Sequence, residues 1–221
     1  MLNPDEIRLA GIEMDSIVDG PGLRMTFFVQ GCPHHCLGCH NPDTHTFDGG
    51  KVEPIHPLIE RISQCAYDHS IDGITLSGGE PFEQAGACVQ LAKAAHENGL
   101  NVWCYTGYLY EKLLHMRNCV ELLKEVDVLV DGPFEMGKRS LATPFKGSLN
   151  QRIIDVQPSL EKGFIIQKDA LRTESRTKRT VLHHARLIRG LMGLNGETGE
   201  CTDILKKRLF QKHHLDKDED E

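Results

Sequence analysis

Up to about residue 156 the chain alternates short apolar segments with longer amphipathic ones, and this alternation constrains its fold more than any other feature. Strand candidates are residues 24–30, 73–77, 101–106, 126–131 and 152–156. Helical periodicity fills the gaps between them, over residues 56–67, 83–98 and 109–124. The first run, Met25-Thr-Phe-Phe-Val-Gln30, reads as a buried strand. Gly99 directly after Asn98 is a helix stop. Strands separated by helices imply βαβ units, a parallel sheet and right-handed crossovers, so the expected fold class is α/β. In such sheets ligands meet the carboxyl ends of the strands. Three loops fall there: residues 31–43, 78–83 and 132–150.

The chain has 221 residues, enough for one sizeable domain plus an appendage. Its net charge of -7 speaks against a basic nucleic-acid-binding surface. No apolar run is long enough to span a membrane. The start, Met1-Leu-Asn-Pro-Asp-Glu6, lacks the basic and apolar regions of a signal peptide. The expectation is therefore a cytoplasmic protein with no nucleic-acid or membrane partner, in a compartment where disulfides are rare. Eight cysteines then read as metal ligands or buried thiols. Cys65, Cys88, Cys104, Cys119 and Cys201 are scattered singly and read as small buried hydrophobes.

Cys32, Cys36 and Cys39 differ, because three thiols sit within eight residues directly after the first strand. Closely spaced thiolates on one loop can point at one soft metal centre. A structural zinc site would need a fourth ligand, and His34, His35 and His40 are at hand. An iron–sulfur cube held by three cysteines leaves one iron for an outside ligand, since such clusters ordinarily take four. A second motif, Ser77-Gly-Gly-Glu-Pro81, follows the next strand. Its glycines permit close backbone approach and positive φ, and its glutamate can accept from an ammonium group. A plain turn ahead of a helix would use the same residues. Val18-Asp-Gly-Pro-Gly-Leu-Arg24 precedes the first strand as a tight turn; Arg24 is a candidate contact for the metal region or a carboxylate, or a surface ion pair.

Cys-x-x-x-Cys-x-x-Cys resembles the signature of the radical S-adenosylmethionine (SAM) enzymes. The resemblance implies a partial (β/α) barrel over residues 1–158 and a 4Fe-4S cluster held by Cys32, Cys36 and Cys39. It implies that the amino and carboxylate groups of SAM chelate the fourth iron, and that an electron from the reduced cluster cleaves SAM to a 5′-deoxyadenosyl radical. Gly78, Gly79 and Glu80 match the family's motif for the SAM amino group. Gly38 and His40, flanking Cys39, occupy positions that touch the adenine. Tyr105-Thr-Gly-Tyr108 is expected to line the SAM pocket, and Asp131, Asn150, Gln151 and Arg152 are pocket or partner-contact candidates.

The turn at residues 18–24 is similar to that of the glycyl-radical-enzyme activases. Gly38, Asp127-Val-Leu-Val-Asp-Gly-Pro-Phe-Glu135 and Gly147-Ser-Leu-Asn-Gln-Arg152 resemble the activases of anaerobic ribonucleoside-triphosphate reductase. The implied partners are the large subunit of that reductase and an electron donor such as flavodoxin. Activation of pyruvate formate-lyase, or of another glycyl radical enzyme, is the alternative. A non-enzymatic metal-binding module is the alternative of another class.

Beyond residue 158 the character changes, with a basic linker expected over residues 159–180 and a helical segment with an acidic, disordered tail over residues 181–221. Residues 186–207 resemble the opening helices of the MazG-like nucleotide pyrophosphohydrolases, in which a Glu-x-x-Glu pair binds Mg²⁺; Glu197 and Glu200 match that pair. The chain stops before a second acidic pair, so a fragment without hydrolase activity is expected.

Overall fold

The computed structural model describes residues 3–140 and 143–168. The MazG-like segment, with Glu197 and Glu200, lies outside the described residues. Seven strands form one sheet in the order β3-β1-β2-β4-β5-β6-β7. At its centre β2 (Arg24–Val29), β4 (Gly73–Gly78), β5 (Asn101–Tyr105) and β6 (Val128–Asp131) run parallel. The helices α1 (Ile55–Tyr67) and α2 (Ala85–Glu97) supply the crossovers into β4 and β5. The α/β expectation holds in this centre.

The edges depart from it. β1 (Glu6–Ser16) and β3 (Lys51–Pro54) were not expected, and both pair antiparallel. The last strand, β7 (Arg152–Asp155), is antiparallel to β6. The sheet is therefore mixed and open, because its two ends belong to different strands, β3 and β7. The helix expected over residues 109–124 is two short ones, α3 (Tyr110–Leu113) and α4 (Val120–Glu125). No fully buried side chain lies between Leu113 and Cys119, so nothing holds the intervening turn in a continuous helix. A last helix, α5 (Val156–Lys162), ends on Gly163 in the left-handed conformation, and Gln167 then bridges back to Ile154.

Strand alternation divides the buried side chains between two faces. Met25, Phe27, Ile74, Leu76, Val102, Cys104 and Leu129 join the helices in the main core. Trp103, Val128, Val130 and Ile153 form a smaller cluster with Tyr105 and Phe145. Cys88, Cys104 and Cys119 are buried free thiols, as their isolation in the sequence indicated. Arg24 reaches neither a metal region nor the surface. It is fully buried, donates to Thr75 Oγ1 and to the carbonyls of Pro21, Ile74 and Asn101, and lies 5.8 Å from the Trp103 ring centroid. Burial holds its guanidinium down to about 10. It pins the turn at residues 18–22 to the amino ends of the strands.

Candidate active site

A cavity of about 500 Å³ opens at the carboxyl ends of the parallel strands. All three loops expected there contribute to it, as does the exit of β5. Cys32, Cys36 and Cys39 line one side; Gly78 and Gly79 line another.

The cysteine loop is closed at its base by backbone bonds. Gly31 turns the chain at φ +98° and donates to Thr44 O (2.8 Å), while Cys32 N donates to His45 O (3.1 Å). The Gln30 amide donates to the carbonyls of Asp43 (3.0 Å) and Thr46 (2.7 Å), which ties the returning strand of the loop down. Cys39 N donates to Cys36 O, setting the last two thiols on one turn. Burial pushes the Cys32 thiol up to about 11, opposed by the backbone amide of His34. A thiol so placed loses its proton on binding metal. Asn41 N–H donates to Cys39 Sγ at 3.4 Å, the kind of contact that tunes a cluster thiolate. Among the described residues no group of three or more His, Cys, Asp and Glu side chains is gathered to hold a single metal ion. A cubane takes one thiolate at each of three separate corners, so three thiols around a shared cavity fit it where a mononuclear site would want convergence.

The Gly-Gly-Glu turn and the cysteine loop share a floor. Gly79 N donates to Val29 O and Glu80 N to Gly31 O, both at 2.8 Å. A Cβ on Gly78 (φ +93°) would sit 2.6 Å from Phe28 Cα, and one on Gly79 would collide with the Gly31 carbonyl. Only glycines let the two strand exits lie this close.

Glu80 is fully buried and stands behind the cavity wall. Its carboxylate accepts from Phe82 N (3.1 Å), Thr106 Oγ1 (2.9 and 3.0 Å), Gly107 N (2.9 Å) and His34 Nε2 (2.8 Å). His34, which lines the cavity, lies between this carboxylate and the open space. Nothing in the sequence distinguishes His34 from His35, whose ring packs against His45 instead.

Gly38 adopts φ +73°, and a Cβ there would meet Met136 Cε at 2.6 Å. His40 lines the cavity with its ring 4.9 Å from that of Phe134, so the two form an aromatic wall. Tyr105, Thr106 and Gly107 also line it, whereas Tyr108 sends its hydroxyl to Glu83 at 2.7 Å. Of the later candidates, Gln151 alone reaches the cavity, its side-chain oxygen accepting from Gly147 N at 2.9 Å. Asn150 donates to Pro133 O. Asp131 and Arg152 form an ion pair, extended to Glu111 and closed by Tyr110 N, that joins β6, β7 and α3.

The profile of the family described as "4Fe-4S single cluster domain" matches residues 18–154. The chain belongs to that family. The anaerobic ribonucleoside-triphosphate reductase-activating protein of Enterobacteria phage T4 is 35% identical over 143 residues, 62% of this chain and 86% of the relative. Its counterpart in Pasteurella multocida is 36% identical over 144 residues, 62% and 90% of the two chains. The pyruvate formate-lyase-activating enzyme of Clostridium pasteurianum is 36% identical over 126 residues, 56% of this chain but 50% of that one. With this family and these relatives, the chain is an iron–sulfur enzyme of the activase type with a 4Fe-4S cluster, and SAM is the cofactor expected of such enzymes.

Proposed function

We propose that the protein activates an anaerobic ribonucleoside-triphosphate reductase by installing a glycyl radical on its large subunit. The observation that carries this reading is the shared floor of the two loops. The residues expected to hold the cluster and those expected to meet SAM border one cavity, joined by the Glu80–Gly31 hydrogen bond. When bound, the reduced cluster and SAM supply the radical that takes a hydrogen from the partner's glycine. The chain's own residues bind and orient. Cys32, Cys36 and Cys39 hold the cluster. Gly78 and Gly79 let SAM approach the sheet, with Glu80 favouring its amino group from behind the wall. Gly38, His40 and Phe134 flank the adenine.

By resemblance to the radical SAM activases, we propose that the open seven-stranded sheet is that of a partial (β/α) barrel. Flavodoxin or a similar reductant delivers the electron. The protein works in the cytoplasm, without a nucleic-acid or membrane partner; among the described residues no helix is long and apolar enough to cross a membrane. Residues 159–168, expected as the start of a linker, belong to the fold through α5 and the bridge from Gln167 to Ile154, and the C-terminal piece beyond them is without hydrolase activity. The reductase is preferred to pyruvate formate-lyase because the relatives that activate it are covered over most of their length.

The test is anaerobic incubation of the cluster-loaded protein with reductant, SAM and either partner. A glycyl radical is expected by electron paramagnetic resonance on the reductase. Its appearance on pyruvate formate-lyase alone would reassign the partner.

A further inference from the structure

His34 stands between two of the cluster cysteines and belongs to both halves of the site. Its side chain is 16% exposed and its Nε2 lies 2.8 Å from Glu80 Oε2. Both carboxylate oxygens of Glu80 already accept from hydroxyl or backbone N–H groups, so the histidine nitrogen is the donor. The imidazole is held from two further directions. Its ring meets Tyr108 edge-on at 4.5 Å. On another side it covers Gly107, where any Cβ would run into the ring. Lys112 then lies over the far partner, 4.4 Å from the Tyr108 centroid. The ring therefore has one position, set by Glu80 beyond β4 and by Gly107 and Tyr108 beyond β5 rather than by its own loop. Its backbone, by contrast, is part of the cysteine loop, two residues beyond Cys32 and two before Cys36.

We propose that His34 is a positioning residue that couples the cluster loop to Glu80, so that one imidazole governs both SAM affinity and the ease of cluster reduction. The inference rests on the proposed assignment of Cys32, Cys36 and Cys39 to the cluster and of the Gly78–Glu80 turn to SAM. Two physical effects follow. Because Glu80 is fully buried, its influence on a cavity ligand is routed past the ring that covers it, and a histidine bonded to a carboxylate is held in one tautomer and orientation. The second effect is on the metal. Hydrogen bonds and amide dipoles at the cysteine sulfurs stabilise the added negative charge of a reduced cluster and so raise its potential. With the ring unanchored, residues 33–35 lose what fixes their amide dipoles between Cys32 and Cys36, and the cluster becomes harder to reduce.

The experiment compares wild type, His34→Ala and His34→Gln as full chains, reconstituted with iron and sulfide under anaerobic conditions. Iron content, cluster midpoint potential and equilibrium SAM binding are measured for each. His34→Ala is expected to retain iron, shift its midpoint to more negative potential and bind SAM about tenfold or more weakly. His34→Gln presents an amide N–H that can reach Glu80, and is expected to recover both properties. An unchanged midpoint and affinity in His34→Ala would overturn the proposal, as would equal iron loss in both variants, which marks a loop-folding role only. A wild-type protein that takes up no cluster would overturn this proposal together with the proposed function.

Discussion

Glu80, just beyond β4, and Asp131, at the end of β6, are both fully buried carboxylates near the carboxyl edge of one sheet. Their surroundings differ in one respect. Asp131 meets the Arg152 guanidinium through both of its oxygens, and a backbone N–H completes the set. Glu80 meets two backbone N–H groups, a hydroxyl and an imidazole, with no fixed cation. A buried anion is tolerated when paired or richly hydrogen-bonded. Pairing with arginine completes Asp131 and leaves it with a structural task. Satisfaction by dipoles leaves the negative charge of Glu80 available to a cationic ligand group nearby, which suits the ammonium of SAM.

Substitution at each site should separate these roles. Asp131→Asn leaves the Arg152 guanidinium paired only with the exposed Glu111 and is expected to cost about 2 kcal/mol, read as a lower urea midpoint with an unchanged slope. SAM binding by the folded fraction should stay within about twofold. If SAM affinity fell sharply while stability held, the contrast would be wrong. Glu80→Gln is expected to weaken SAM binding by about tenfold, because it removes the buried charge that favours the ammonium through the cavity wall. It should cost the fold only about 1 kcal/mol, since one backbone N–H loses its acceptor. The smallest effect belongs to a third, exposed pair at the opposite edge. His96 is raised above its ordinary pKa, chiefly by its hydrogen bond to Asp127, with Glu125 adding to it. A raised folded pKa contributes stability that is fully present below the unfolded value of about 6.5 and is lost as pH rises through the folded one. Wild type should therefore exceed His96→Gln in stability by no more than about 0.5 kcal/mol near pH 6, the pair being partly solvated. The gap should narrow as pH rises towards about 8, checked by urea melts at both values.

The centre of this sheet was legible because its strands are covered on both faces and read as unbroken apolar runs. β1 escaped because it lies toward an edge and mixes charges with apolar residues; only Ile7, Leu9 and Ser16 of its eleven residues are buried. β3, Lys-Val-Glu-Pro, has no buried residue at all and is held by backbone pairing to β1. Neither leaves a periodic trace strong enough to compete with a loop reading. The site divides the same way. Thiol spacing and paired glycines are local signals, and Cys32, Cys36, Cys39, Gly78 and Gly79 all reached the cavity. His34 and Phe134 act through partners 46 residues away and at position 40, respectively. Spacing carries no information about such pairings, and the buried placement of Glu80 was hidden for the same reason.

The bond from Glu80 N to Gly31 O has a bearing on damage as well as on assembly. Cluster loop and SAM turn meet along a seam where a Cβ on Gly78 or Gly79 would strike the backbone of Phe28, Val29 or Gly31, so a shift of the turn is felt by the loop. Damage to the cysteine loop would therefore reach the SAM turn through backbone alone, so that one injury can disable cluster and cosubstrate binding together.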